Sequence, residues 1–224
     1  MRHDCREKTK LGLIEMQIVT YRADKHTFFD EFATLLVSLS SFNAAVESFW
    51  NCGLTKIPTT PDHTLYLYGR LLAIAWRPNE FMHDVKQDRW PTQLNIAHLN
   101  PIEPAAQPAE RGVPFSSSAA WRMVHGLVGS MFVRYFEKFR EQIEAKYGSD
   151  TTRWPDCWNF GRVVRNALAH DGLIEMRNAQ SAPVAWRGVT IGPCNNGKVL
   201  FSRSEFLDVA DLVALVEDLD RYVA

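Results

Sequence analysis

Between Val124 and Ile143 the apolar residues return every three or four positions: Val124, Leu127, Val128, Met131, Phe132, Tyr135, Phe136, Phe139 and Ile143. That period places them on one face of a helix. The spacing predicts a helix over roughly 119–147, stopped by Gly148. Such a helix is about 43 Å long and must bury its stripe against other elements. The same period starts at Thr27 and runs through Phe28, Phe29, Phe32, Leu35, Leu36, Leu39, Phe42, Val46, Phe49 and Trp50 to Gly53. Two long amphipathic helices favour a helical bundle.

The rest of the chain is read around these two. Residues 1–24 are mixed; Leu11, Leu13 and Met16 fit either a short strand or a helical turn. Asp62 opens an apolar helix through Leu65, Leu67, Leu71, Leu72, Ile74 and Trp76, and Pro78 ends it. A further helical piece fits Glu80–Arg89. Pro91, Pro101, Pro104, Pro108 and Pro114 make residues 91–118 a long loop, of a length that often carries function. Residues 156–171 form another helix, with Asp156 as N-cap and Gly172 just past its end. Two strands, Val184–Ile191 and Lys198–Phe201, join through Asn195-Asn196-Gly197 as a hairpin. A last helix begins near Ser204. The expected fold is all-α: one domain over 1–224, with its core at about 25–222. It is an antiparallel helical bundle with a small β-hairpin, 184–201, inserted before the last helix.

Charge and cysteine usage narrow the function classes. Lys and Arg total 25 against 26 Asp and Glu, so a basic wrapper of long nucleic acid is not expected, while a local basic site is. Cys5, Cys52, Cys157 and Cys194 are far apart, without zinc spacing, and no metal or cofactor is expected. The N-terminal residues lead into no signal-peptide apolar core, and no run reaches membrane-span length. The expectation is a cytoplasmic protein with reduced thiols and no membrane partner.

Several motifs begin and fail. Gly192-Pro193-Cys194-Asn195-Asn196-Gly197-Lys198 resembles a phosphate loop, but Val199 stands where Ser or Thr must hold Mg²⁺. Glu80 and His83 have di-iron spacing, but a second Glu-x-x-His is missing. Most tryptophans fit apolar faces; Trp154, Trp158 and Trp186 flank the segment described next.

On a wheel at 100° per residue, with Arg165 at about 0°, Arg162 falls near 60°, Asn166 near 100°, Asn159 near 120° and His170 near 140°. Phe160, Val163, Val164, Ala167 and Leu168 fill the opposite side. A solvated face also carries Arg and Asn, and a His at a helix end also favours the dipole. Against that bland reading, no Asp or Glu lies between Cys157 and Ala169. Residues 150–203 also carry 7 Lys and Arg against 4 Asp and Glu, so an anion would be drawn to this region.

Arg165-Asn166-Ala167-Leu168-Ala169-His170 resembles the Arg-x4–6-His motif of the HEPN superfamily in its Arg-Asn-x-x-x-His form. Its place agrees, on a helix after a long apolar one and before a closing helix. The resemblance implies metal-independent RNA cleavage by a homodimer whose two motifs meet in a shared cleft, in toxin, abortive-infection or CRISPR defence. It implies His170 as acid/base, Arg165 as phosphate and transition-state ligand, and Asn166 as the residue that orients them. Arg162 and Asn159 join as substrate-binding residues from the wheel alone. The products would be a 2′,3′-cyclic phosphate and a 5′-OH. A toxin subgroup carries Tyr two residues after the His; Gly172 stands there, which leaves any antitoxin partner unspecified. Many HEPN proteins are non-catalytic nucleotide- or RNA-binding modules, and that is the alternative expectation. Either reading requires His170 clear of hydrocarbon and Arg165 free of an internal carboxylate.

Overall fold

A computed structural model describes residues 8–11, 14–51, 64–99, 119–176, 182–201 and 206–223. The fold is mixed α/β, which overturns the all-α expectation. Along the chain come β1 (Lys8–Leu11), β2 (Ile14–Arg22), α1 (Phe29–Asn51), β3 (Leu65–Tyr68), β4 (Ala73–Trp76), α2 (Asn79–Lys86) and β5 (Gln93–Leu99). After these come α3 (Ala119–Tyr147), α4 (Asp156–Ala169), β6 (Val184–Trp186), β7 (Val189–Ile191) and α5 (Val209–Asp220). Five strands form one antiparallel sheet in the order β1-β2-β5-β4-β3; β6 and β7 form a separate hairpin.

The helix expected through Leu65–Trp76 is the β3–β4 hairpin. Leu65, Leu67, Ile74 and Trp76 alternate at period two and face the core, with Leu67 paired to Ile74 and Leu65 to Trp76. Gly69, Arg70, Leu71 and Leu72 turn the chain between them. The turn is held from far away: Asp211 accepts from the backbone N–H of Arg70 and of Leu71, each at 2.7 Å. A carbon at the Cβ position of Gly69 would lie 2.5 Å from Asp211 Oδ1 and 2.6 Å from the Leu72 carbonyl oxygen, so only glycine fits.

The expected loop over 91–118 is also corrected. Its first part is β5, paired along its length with β2 and also with β4. Leu94 and Ile96 point inward while Gln93 and Asn95 face solvent, the alternation of a half-buried strand. The proline cluster hid it. Residues 100–118 lie outside the described residues. So does Leu13, while Leu11 and Met16 fall on strands, which settles the choice left open at the N-terminus.

The helical expectations over 27–53, 80–89, 119–147 and 156–171 hold within a few residues as α1, α2, α3 and α4. Pro155, not Asp156, occupies the N-cap of α4; Asp156 is in the first turn, where its charge favours the dipole. The expected pairing of strand 184–191 with strand 198–201 is corrected: 184–191 is itself the hairpin, β6 on β7, turning at Arg187-Gly188, both at positive φ. Asn196 instead pins the backbone of Met176, accepting from its N–H at 2.7 Å and donating to its carbonyl at 3.1 Å. Val199 and Phe201 make single bridges, to Leu173 and Leu207.

α5 is the centre of the molecule. Val209 through Val216 and Leu219 are all buried, because α5 touches β3 and β4 on one side and α3 and α4 on the other. Tyr21 on β2 donates its hydroxyl proton to Glu217 and meets His98 Nε2 at 2.9 Å, tying the sheet to this helix. The β6–β7 hairpin packs on α4, and Asp218 accepts from Trp186 Nε1 and from two nitrogens of Arg187.

Candidate functional site

The site is built on α4, whose inner face is set by packing. Trp158, Phe160, Val163, Val164 and Ala167 are buried. Gly161 lets α4 approach closely; a Cβ there would sit 3.3 Å from Phe136 and 3.5 Å from Leu219. With that face committed to the core, Arg162, Arg165 and Asn166 turn toward the outer side of α3. They line a cavity of about 340 Å³ with Glu137, Arg140 and Glu144 of α3, and with Ser149, Thr151 and Trp154 of the connection. Asp150 folds that connection, its carboxylate accepting from the N–H of Thr152 at 3.0 Å.

The wheel therefore brings together three of its five residues. Asn159 does not line the cavity but holds Arg162, which does: its Oδ1 accepts from Nε at 3.2 Å and Nη2 at 3.1 Å. His170 is outside the cavity, where it ends α4 with φ −122° before Asp171 and Gly172 turn at positive φ. It is clear of hydrocarbon, its side chain 49% exposed, and its Nε2 lies 3.5 Å from Glu175 Oε2. A carboxylate in that position can orient an imidazole and pair with its protonated form.

The acid-free arginine face is corrected by the tertiary structure. α4 carries no acid there, but α3 supplies one. Glu137 Oε1 accepts from Arg165 Nε at 2.5 Å, and Glu137 Oε2 stands 3.6 Å from Arg140 Nε. Both partners of the Arg165 pair line the cavity and are over a third exposed, so the pair is partly solvated and worth about 0–1 kcal/mol. The pair occupies Nε and leaves the Nη edge of Arg165 turned to Asn166 Oδ1 at 3.4 Å. Arg162 differs. It has no carboxylate partner among the described residues, and burial alone pushes its pKa below the ordinary arginine value.

The three tryptophans flanking the motif are packing residues. Trp158 Nε1 donates to the carbonyl of Leu219 at 3.1 Å, Trp154 Nε1 to that of Gly148 at 2.8 Å, and Trp186 Nε1 to Asp218 at 2.9 Å. Trp154 also walls the cavity. Glu137, Arg140 and Glu144 were not anticipated. Their i, i+3, i+7 spacing marks one polar stripe on α3, but the sequence does not say that α4 lies against it. Among the described residues no three His, Cys, Asp or Glu side chains converge as a metal site, and no helix is long and apolar enough to cross a membrane.

Fold and site together define a mixed α/β protein with an arginine-lined cavity between its third and fourth helices. Compared with protein-family models, curated proteins and solved structures, the chain matches none.

Proposed function

We propose that the protein is a metal-independent endoribonuclease of HEPN-like kind, acting on RNA as a homodimer in a cytoplasmic toxin or abortive-infection role. The observation that carries the reading is the cavity in which Arg162, Arg165 and Asn166 of α4, the helix that His170 ends, converge with Arg140 of α3. RNA supplies its own nucleophile. His170 takes the 2′-OH proton or returns one to the leaving 5′-oxygen, and Glu175 orients its ring. The Nη edge of Arg165 stabilises charge on the phosphorane, and Asn166 keeps that edge in place. The bond from phosphorus to the 5′-oxygen breaks, leaving a 2′,3′-cyclic phosphate and a 5′-OH. The five-stranded sheet is foreign to the expected helical bundle, so the resemblance rests on Arg165, Asn166 and His170 and on the succession of α3, α4 and α5.

A second reading is a nucleotide- or RNA-binding module without cleavage. It is favoured by His170 standing outside the cavity and by Glu137 on Arg165.

One experiment separates the two. Purified protein is incubated with total RNA in EDTA, beside Arg165→Ala and His170→Ala. Cleavage by the wild type alone supports the ribonuclease. Binding without cleavage, lost in Arg165→Ala, supports the module. No binding in any form sinks both, and cleavage that EDTA abolishes sinks the metal-free mechanism.

A further inference from the structure

Arg162 is held away from His170. Eight residues separate them on α4, about 12 Å of helical rise. The guanidinium of Arg162 is also folded back toward Asn159, one turn nearer the N-terminus, by two hydrogen bonds to the same amide oxygen. A phosphate being cut must lie within hydrogen-bond reach of the imidazole that moves its protons, about 3 Å or one water away. One phosphate cannot meet both conditions. Yet Arg162 is the cavity cation best suited to an anion. It is half-buried, it lacks a carboxylate partner among the described residues, and burial already disfavours its lone charge. A half-buried guanidinium in that state gains most from an arriving counter-ion, whereas Arg165 already has Glu137.

We propose that Arg162, positioned by Asn159, anchors a phosphate of the bound RNA other than the scissile one, so that the α3–α4 cavity is a flanking-phosphate subsite. This rests on the RNA reading above, but not on cleavage. Ser149 and Thr151 also line this cavity, and hydroxyl side chains are common phosphate donors. The strand then runs along α4, with one phosphate in the cavity and the next ones reaching His170 at the helix end. Anchoring at a distance of this kind converts remote binding energy into alignment of the reacting bond.

The test uses the full chain and a 2′-O-methyl oligoribonucleotide, which has no free 2′-OH and binds without being cut. Arg162→Gln should weaken its binding by about tenfold or more and lower the slope of log affinity against log salt by about 0.7. Arg162→Lys should recover part of that loss. On wild-type protein, single methylphosphonate substitutions in a cleavable RNA should reveal two sensitive positions, the scissile phosphate and a second one. The second sensitivity should vanish in Arg162→Gln. Wild-type binding by Arg162→Gln with an unchanged melting temperature, or a scan with sensitivity at the scissile position alone, overturns the subsite. Arg162-dependent binding by a protein that cuts no RNA overturns the ribonuclease and leaves the anchor standing.

Discussion

The carboxylate of Asp211, at the start of α5, accepts the backbone N–H of Leu71, 140 residues upstream, at 2.7 Å. It accepts Arg70 N–H at the same distance and closes its own helix cap by accepting from Asp208 N–H at 2.8 Å. One buried side chain thus fixes both a strand turn and a helix start. Asp211→Ala would leave these donors unsatisfied, each costing about 1–3 kcal/mol. A loss of at least about 3 kcal/mol is expected, a fall of roughly 6–12 °C in Tm by calorimetry. Gly69→Ala should cost about 1–3 kcal/mol by forcing the same contact apart. An unchanged Tm in either variant would show that the turn is not held this way.

Asp211 also sets a pH signature. Burial raises its pKa above the usual carboxylate value, against the lowering effect of the backbone N–H groups of Asp208, Leu71 and Arg70. The folded state therefore holds the proton more tightly than the unfolded chain does. The stability from this group is fully present below the unfolded value of about 3.9 and is lost as pH rises through the raised folded value. The Tm lead of wild type over Asp211→Asn should be widest in acid and narrow as pH rises. A lead that widens with pH contradicts the assignment.

Glu137 restrains the cavity's charge. Three guanidinium groups there face two carboxylates. Glu137→Gln keeps an acceptor for Arg165 and removes one negative charge. Stability should move by no more than about 0.5 kcal/mol, because the pair is partly exposed. Affinity for a 2′-O-methyl oligoribonucleotide should rise by up to about fivefold, more at low salt. Weaker binding would mean that Glu137 serves mainly to hold Arg165 and Arg140 in position.

The two described cysteines should differ in reactivity. Burial, with help from the Asp218 charge, pushes the Cys157 thiol up to about 12, whereas Cys194 is exposed. Iodoacetamide at pH 8, followed by peptide mass mapping, should label Cys194 in the native protein and Cys157 only after denaturation. Labelling of native Cys157 at a comparable rate would show that α4 opens readily.

Local patterning carried much of the helical part of the fold. α1, α3 and α4 were legible because their apolar stripes run for several turns, and only a helix puts such residues on one side. Arg162, Arg165 and Asn166 could be set on one arc for the same reason. The strands were less legible. Leu65–Trp76 satisfies both periods over so few residues, and β5 sits beside a proline cluster. What decided for strands was distant: β5 pairs with β2, Leu94 with Tyr21, and the carboxylate of Asp211 holds the turn of the local β3–β4 hairpin, where Leu67 pairs with Ile74.

The same division runs through the site. Helical spacing alone determined that two arginines and an asparagine point the same way from α4, because a helix fixes angles between its own residues. It could not determine what they point at. The tertiary packing of α3 against α4 placed Glu137 on Arg165, left Arg162 to Asn159 and put His170 outside the cavity, since contacts between helices depend on which faces the whole core buries.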